Sequence, residues 1–318
     1  MAPEHRYTFS MGDFFQKLKL YWKSNPGYWK LADTDKRSKY AIGYYPLSFR
    51  DRLYQGHYVD FDEIGLPMFH SKAGSLVHFC TGMCSFAFAH WEEFLNTGRK
   101  EHADHVIKVA DYLLGMAEER ENGSLMVLDY DSDEKDGGTP CAMNQGESIS
   151  SLARAYCITS NAVYKNAALK MAIPFGYPYG HNGVTGNLKN GTAWYLEGGS
   201  MILNGHNYAL FGLADLFSIS SEAWVKSHLD AGIYSLINSI EYFDNGFWSW
   251  YWLNEPLYIA SAMYHNLHVC QLKAMAHISN SEKLALYASR FEKYAQSPLK
   301  RARAAAYMVN AKIKKKAG

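Results

Sequence analysis

No run of about 18 apolar residues occurs in the sequence, so it offers no candidate for a membrane-spanning helix. Its first residues, MAPEHRYTFSMGDFFQKLKLYW, hold no apolar core of the kind a secretory signal carries. Cysteine is scarce. Cys80, Cys84, Cys141, Cys157 and Cys270 are odd in number and form no CxxC, which argues against a disulfide framework in 318 residues. A reducing, cytoplasmic setting is expected. An excess of one charge is missing too: 32 Lys and Arg against 31 Asp and Glu leave a net +1, so no global field draws in nucleic acid or an anionic membrane. Lys312, Lys314, Lys315 and Lys316 are the exception, read as a solvated helix end. There is no HExxH, no cysteine cluster, no strand-preceded phosphate loop and no GxSxG, so neither a metal nor a cofactor is expected.

Aromatic residues are abundant. The 24 Tyr, 16 Phe and 8 Trp make up 15% of the chain, which suits either sugar stacking or an aromatic core. Short polar breaks at Thr97, Thr159, Ser220 and Ser279 recur with a period of about 60 residues. Helical spacing of apolar residues precedes and follows each break. The second helices start at expected N-caps Asn161, Ser221 and Ser281. Each unit is thus an α-hairpin. Gly- and aromatic-rich segments at 120–142, 176–199 and 242–255 join the hairpins and contain strand-like pieces such as LMVLDY and FWSWYW. The expected fold is mainly α, an incomplete (α/α) hairpin toroid with short strands in the inter-hairpin loops. Residues 1–70, helical only around Asp13–Tyr21, form an irregular N-terminal arm packed on a barrel of residues 71–318. A ninth helix over Leu299–Lys316 either closes the ring or pairs with a second subunit as a homodimer.

In such a ring the first helix of each hairpin faces inward, and polar residues crowd these helices. Gln145 and Glu147 lie on the second hairpin, Asn204 and His206 on the third, and Tyr264, His265 and His268 on the fourth. With Trp194, Tyr195, Trp248, Trp250 and Tyr251 in the loops, they make a sugar-sized cleft the economical reading. Plainer roles compete. Asn144 and Asn204 suit N-caps, Glu147 suits the positive end of a helix dipole, and His102 and His105 suit a solvated outer face. His265 and His268 have ligand spacing but lack a third ligand.

Three ordered blocks resemble the glucuronyl C5-epimerase family. Residues Ala142 to Tyr156 (AMNQGESISSLARAY) are similar to its AMxQGxxISxLxRAY helix. Trp194 to Glu197, followed by Leu203 to Leu216, resembles WYEEY…VLNGxxYSLxGLYDL, and Tyr264 to Leu272 resembles YHxxHxxQL. GHYVDFDEIGLPMF (Gly56–Phe69) is similar to the stretch before the helical domain, so the resemblance runs from about Tyr44 to Ile278. It implies an (α/α) barrel that converts D-glucuronate to L-iduronate in a heparosan-like polysaccharide. It also implies Glu197 and Tyr264 as catalytic groups and His265 as a substrate contact.

Inverting C5 of a uronate requires two acid/base groups on opposite ring faces and a cation for the developing enediolate. Two departures bear on this. Gly198 replaces the second Tyr of WYEEY, and the arginine expected before YHxxH is absent, with Ser261 three residues ahead of Tyr264. Tyr195, Tyr251 or Tyr258 is available as the phenol, and Arg50, Arg52 or Lys72 of the arm as the cation. Tyr195 joins Glu197 and Tyr264 as a catalytic candidate; Gln145, Asn204, His206, Tyr251, His265, Arg50 and Arg52 are the candidate substrate contacts. Three competing activities remain: a uronate lyase with Tyr264 as base, an inverting hydrolase pairing Glu197 with Glu147 or Asp129 at roughly 6.5–9.5 Å, and a non-catalytic glycan-binding relative.

Overall fold

A computed structural model describes residues 28–33, 38–71, 74–127 and 138–317, with side chains as far as 311. The expected helix Asp13–Tyr21, Lys72 and Asp129 lie outside these residues. Nine helices occur among them. Eight form four hairpins: α1 (Cys80–Thr97) with α2 (Lys100–Met116), α3 (Ala142–Thr159) with α4 (Ala162–Ala172), α5 (Leu203–Ser220) with α6 (Ala223–Ser239), and α7 (Ala262–Ser279) with α8 (Glu282–Gln296). The ninth, α9 (Pro298–Ala317), packs on α8 and buries Ala304, Ala305 and Met308.

The recurring polar breaks are the hairpin turns. Gly98, Ser160, Ser221 and Asn280 take left-handed φ values of 68°, 57°, 56° and 50°, and each N–H closes the last turn of its inner helix. Ser221 therefore ends α5 rather than starting α6, whose N-cap is Glu222 with no side-chain bond. Asn161 and Ser281 cap as expected, accepting from Val163 N (3.1 Å) and Leu284 N (3.4 Å).

The inner helices α3 and α5 are buried on every side from Ala142 to Ala155 and from Leu203 to Leu213. A helix with no wet face is a core helix, and two of them side by side need small residues at the contact. Gly146 and Gly212 supply them. A Cβ on Gly146 would sit 2.4 Å from the Tyr208 carbonyl oxygen, and one on Gly212 would sit 2.3 Å from the Gly146 carbonyl oxygen. The outer helices show one apolar stripe, as in α2 with Val106, Val109, Ala110 and Leu113. His102 and His105 lie on this inward side, not in solvent. His102 meets His90 of α1 at 2.8 Å between Nδ1 atoms, and His105 stacks on His90 at 4.2 Å.

The described part of the arm stands between α1 and α7. Its strand pair Lys30–Leu31 and Leu47–Ser48 packs on α7, while the turn Arg50–Leu53 packs on α1. Tyr45 stacks on Phe88 at 3.8 Å and meets Phe211 edge-on, so the arm shares the central core. No disulfide joins any of the five cysteines. No helix among the described residues is long and apolar enough to cross a membrane.

The glycine contact yields a direct test. Gly146→Ala or Gly212→Ala is expected to lower unfolding free energy by about 1–3 kcal/mol, the usual scale of overpacking. Gly115→Ala, where nothing lies within 4 Å of the added Cβ, is the control and should leave stability unchanged or slightly raised. Denaturant unfolding of the three variants checks both.

Candidate functional site

The four inner helices bring their N-terminal ends to one cleft of about 320 Å³, roofed by the arm. Its walls follow the helical period. The second residue of each inner helix lines it (Thr81, Met143, Asn204, Met263), as do the third residues Gly82 and Tyr264 and the sixth residues Ser85, Tyr208 and Leu267. Positions two and six are four apart and share a face. Tyr28, Trp29, Arg52 and His57 come from the arm, and Glu197 from the loop before α5. Four partnerless buried polar atoms belong to these residues: Trp29 Nε1, Arg52 Nη2, Glu197 Oε2 and Asn204 Oδ1. Leaving such an atom unpaired costs about 1–3 kcal/mol, so the cleft gathers hydrogen-bonding capacity that a polar ligand can satisfy.

Glu197 is set by a two-residue hairpin turn. Its N–H donates to the Ser200 carbonyl (3.1 Å) and its carbonyl accepts from Ser200 N (2.9 Å), with Gly198 and Gly199 between at φ 57° and 77°. Positive φ at both central residues suits glycine, which accounts for Gly198 where the family pattern has Tyr. Gly205 completes the seat, since a Cβ there would lie 2.6 Å from Glu197 Oε2. Only 8% of Glu197 is exposed, and burial pushes its carboxyl pKa up to about 7.

Tyr264 enters from α7, whose N-cap Ser261 accepts from the Tyr264 N–H at 3.2 Å. Burial raises its phenol pKa first and the nearby Glu197 charge second, while the Tyr251 hydroxyl pulls the other way. The Tyr251 ring is 4.7 Å away at 57°, and its own phenol is raised by burial and by Glu197. A raised phenol favours the protonated form, contrary to the base role expected for Tyr264 from sequence. The Arg52 guanidinium lies 5.0 Å from the Tyr28 and Trp29 ring centroids and 4.5 Å from that of Phe49, held by cation–π contacts.

Glu197, Asn204, Tyr264 and Arg52 thus meet in one cleft with Tyr251 against it, and the other candidates do not join them. Gln145, His206 and His265 are each the fourth residue of an inner helix and point at their own hairpins. Gln145 Oε1 accepts from Met126 N (2.7 Å) while its Nε2 donates to Ser124 O (2.7 Å) and Met171 O. His206 Nδ1 accepts from Tyr195 N (3.1 Å), and its Nε2–H donates to Gly232 O (3.0 Å). His265 repeats this with Ser249 N (3.2 Å) and Phe291 O (2.9 Å). Both imidazoles stack on a tryptophan, Trp194 at 3.8 Å and Trp248 at 3.7 Å. Burial lowers both pKa values to about 3, so the rings are neutral and each keeps one donor and one acceptor.

The remaining placements are also corrections. Tyr195 is 2% exposed and spends its hydroxyl on His228 O at 2.5 Å. Arg50 pairs with Glu93 outside the cleft. Tyr258 is 40% exposed on a strand beyond it. Asn144 and Asn204 cap nothing, because the caps are Cys141 and Ile202. Glu147, the sixth residue of its helix and not in the first turn, is buried and accepts from Thr81 Oγ1 at 2.8 Å. Ser249 Oγ lies between His265 and His268 at 2.7 and 2.9 Å, and no group of three His, Cys, Asp or Glu among the described residues can hold a metal. Gly205 went unnoticed, and Tyr208 was not singled out as a contact, although both stand in the LNGHNYAL block, Tyr208 four residues after Asn204.

Four inner helices converging on one cleft make the chain an α/α-hairpin toroid. Residues 125–293, more than half of it, match the family described as D-glucuronyl C5-epimerase C-terminus, and the chain belongs to that family. A D-glucuronyl C5-epimerase of Caenorhabditis elegans is 29% identical over 221 residues, covering 62% of this chain and 36% of the relative. The chain thus matches little more than a third of that relative's length. Among solved structures, a cellobiose 2-epimerase from Spirochaeta thermophila has a TM-score of 0.48 at 10% identity, over 82% of this chain and 78% of its own. A family 76 glycoside hydrolase (mannosidase) from Bacteroides thetaiotaomicron has a TM-score of 0.41 at 12% identity, over 73% and 64%.

If the fourth-position side chains are structural ties, the chemistry of Gln145 should transfer. His265→Gln or His206→Gln is expected to keep stability within about 1 kcal/mol, because an amide also offers one acceptor and a donor. His265→Leu should lose about 2–4 kcal/mol by orphaning the Ser249 N–H and the Phe291 carbonyl. Thermal or denaturant unfolding of the set checks it; equal losses in Gln and Leu variants would refute the tie.

Proposed function

We propose that the cleft inverts C5 of a D-glucuronyl residue to the L-iduronyl form within a heparosan-like polysaccharide. The observation that carries this reading is the meeting of a near-neutral carboxyl, a protonated phenol and a guanidinium with an unpaired Nη2, on Glu197, Tyr264 and Arg52, in a family of epimerases. Four inner-helix N-termini at the same cleft add a positive field that favours an anionic sugar.

Ionised Glu197 takes the C5 proton, and the C5–H electron pair moves into the substrate carboxylate as an enediolate. Arg52 faces that carboxylate and offsets the added charge. Tyr264 then delivers its phenolic proton to the opposite face of C5, and the electron pair returns to form the new C–H bond. Glu197 ends protonated and Tyr264 ionised. The Tyr251 hydroxyl beside Tyr264 stabilises that phenolate until proton exchange with water resets both groups. Tyr264 is the acid in this direction because burial and the Glu197 charge oppose a resting phenolate.

Incubation with heparosan in deuterated water tests the reading: deuterium at C5 together with iduronyl signals is the expected result. Ultraviolet absorbance of an unsaturated uronate would instead indicate a lyase, new reducing ends without it a hydrolase, and no change a binding protein. Tyr264→Phe and Glu197→Gln should each lower turnover about a hundredfold or more while the fold persists.

The pH dependence follows from Glu197. Its action as base requires the ionised form, so kcat/KM should rise as pH passes about 7 and then level. Stability should run the other way. The folded pKa lies above the ordinary carboxyl value of 4.5, so the benefit of the protonated form is full below that pH and lost as pH rises through about 7. The loss is on the order of 3 kcal/mol. Unfolding measured against pH in wild type and Glu197→Gln should show the slope in the first and not in the second.

A further inference from the structure

A file of aromatic rings leads away from the cleft. From Tyr264 the centroids step 4.7 Å to Tyr251, 5.9 Å to Trp252 and 5.4 Å to Tyr258. The last two belong to the antiparallel pair Trp250–Trp252 and Tyr258–Ile259, in the segment where this chain departs from its family's pattern. That strand pair is tied to the loop that carries Glu197. Leu253 N donates to Met201 O (3.1 Å), Asn254 Oδ1 accepts from Met201 N (2.7 Å), and Trp252 bridges to Ile202. Trp252 is further held by its indole N–H on Pro256 O at 2.9 Å. Rings that served only the core would end buried, whereas Tyr258 is 40% exposed and Trp252 half-buried.

We propose that Trp252 and Tyr258 form a stacking subsite for an uncharged sugar of the same polysaccharide, beyond the reacting uronate. The subsite rests on the uronate-polymer reading above. Aromatic faces hold sugar rings through their C–H edges and release ordered water from both surfaces, and the spent indole N–H leaves stacking as the contribution of Trp252. The charge nearby selects the occupant. Glu255 is exposed on the connection between the two strands and disfavours a second carboxylate, so an uncharged hexose or hexosamine suits the platform better than a uronate.

Binding of uronate-containing oligosaccharides graded from disaccharide to polymer, by calorimetry, separates the possibilities. Wild-type affinity should climb with length. Tyr258→Ala should weaken the long chains about tenfold while leaving disaccharide affinity and kcat unchanged, and Tyr258→Phe should restore the loss. Trp252→Phe, which keeps a ring but drops the tie to Pro256, should fall between them. Equal binding of long chains by wild type and Tyr258→Ala, or equal weakening of short and long, would overturn the subsite. If wild type inverts no uronate but Tyr258→Ala still loses the length dependence, the epimerase reading fails and the subsite stands.

Discussion

The cleft depends on a hydrogen-bonded bridge made three times over. In the second, third and fourth hairpins, the fourth residue of the inner helix accepts from a backbone N–H of the preceding loop strand and donates to a carbonyl of the outer helix. Buried backbone groups in irregular loops have no ladder partner, and each would cost energy if left unpaired. One side chain with an acceptor and a donor satisfies two of them and pins three segments together. Glutamine and neutral histidine both meet that requirement, whereas in the first hairpin Met83 takes the position. The loops that carry Glu197 and Tyr251 are thereby fixed to the helices that carry Asn204 and Tyr264.

Against that frame, Glu197 is held where water is scarce. The two-glycine turn aims it, Gly205 leaves space for its Oε2, and burial raises its pKa to about 7. A carboxylate with its own ion pair would be stable but too weak a base; one left unpaired costs stability and gains basicity. Arg52 has the complementary arrangement. Three aromatic rings hold it in place of a carboxylate, so its charge remains available to an anion in the cleft. The arm between α1 and α7 therefore also brings a cation to the cleft, where the fourth hairpin has Ser261.

Much of this was legible in the sequence, and for physical reasons. The period of the breaks survives because every turn needs a residue tolerant of left-handed φ, and Gly98, Ser160, Ser221 and Asn280 recur accordingly. Glu197, Asn204 and Tyr264 were singled out through ordered motifs and Arg52 as a spare cation, and the structure brings these four to one cleft. Gln145, His206 and His265 were misplaced because polarity on an inner helix marks any buried polar role, and composition does not distinguish a bridge from a ligand contact. Ser221 was misassigned because serine serves at both helix ends. Gly205 escaped notice because its function is the absence of a side chain.

The repeat itself could have separated these cases. A ring of equivalent hairpins meets the same structural demand in each unit, so a demand of the fold recurs in register, as Gln145, His206 and His265 do. One substrate bound across one cleft breaks that equivalence. The cleft positions vary accordingly: the second residues are Thr81, Met143, Asn204 and Met263, and the third are Gly82, Asn144, Gly205 and Tyr264. Among the third residues only Tyr264 brings an ionisable group, and it does so on the hairpin whose loop also carries Tyr251 and Trp252. Glu197 stands before Gly205, the third residue with no side chain to obstruct it. In a hairpin toroid, register-matched polar residues are thus the ones to assign to the scaffold, and the residues that break register are the ones to assign to chemistry.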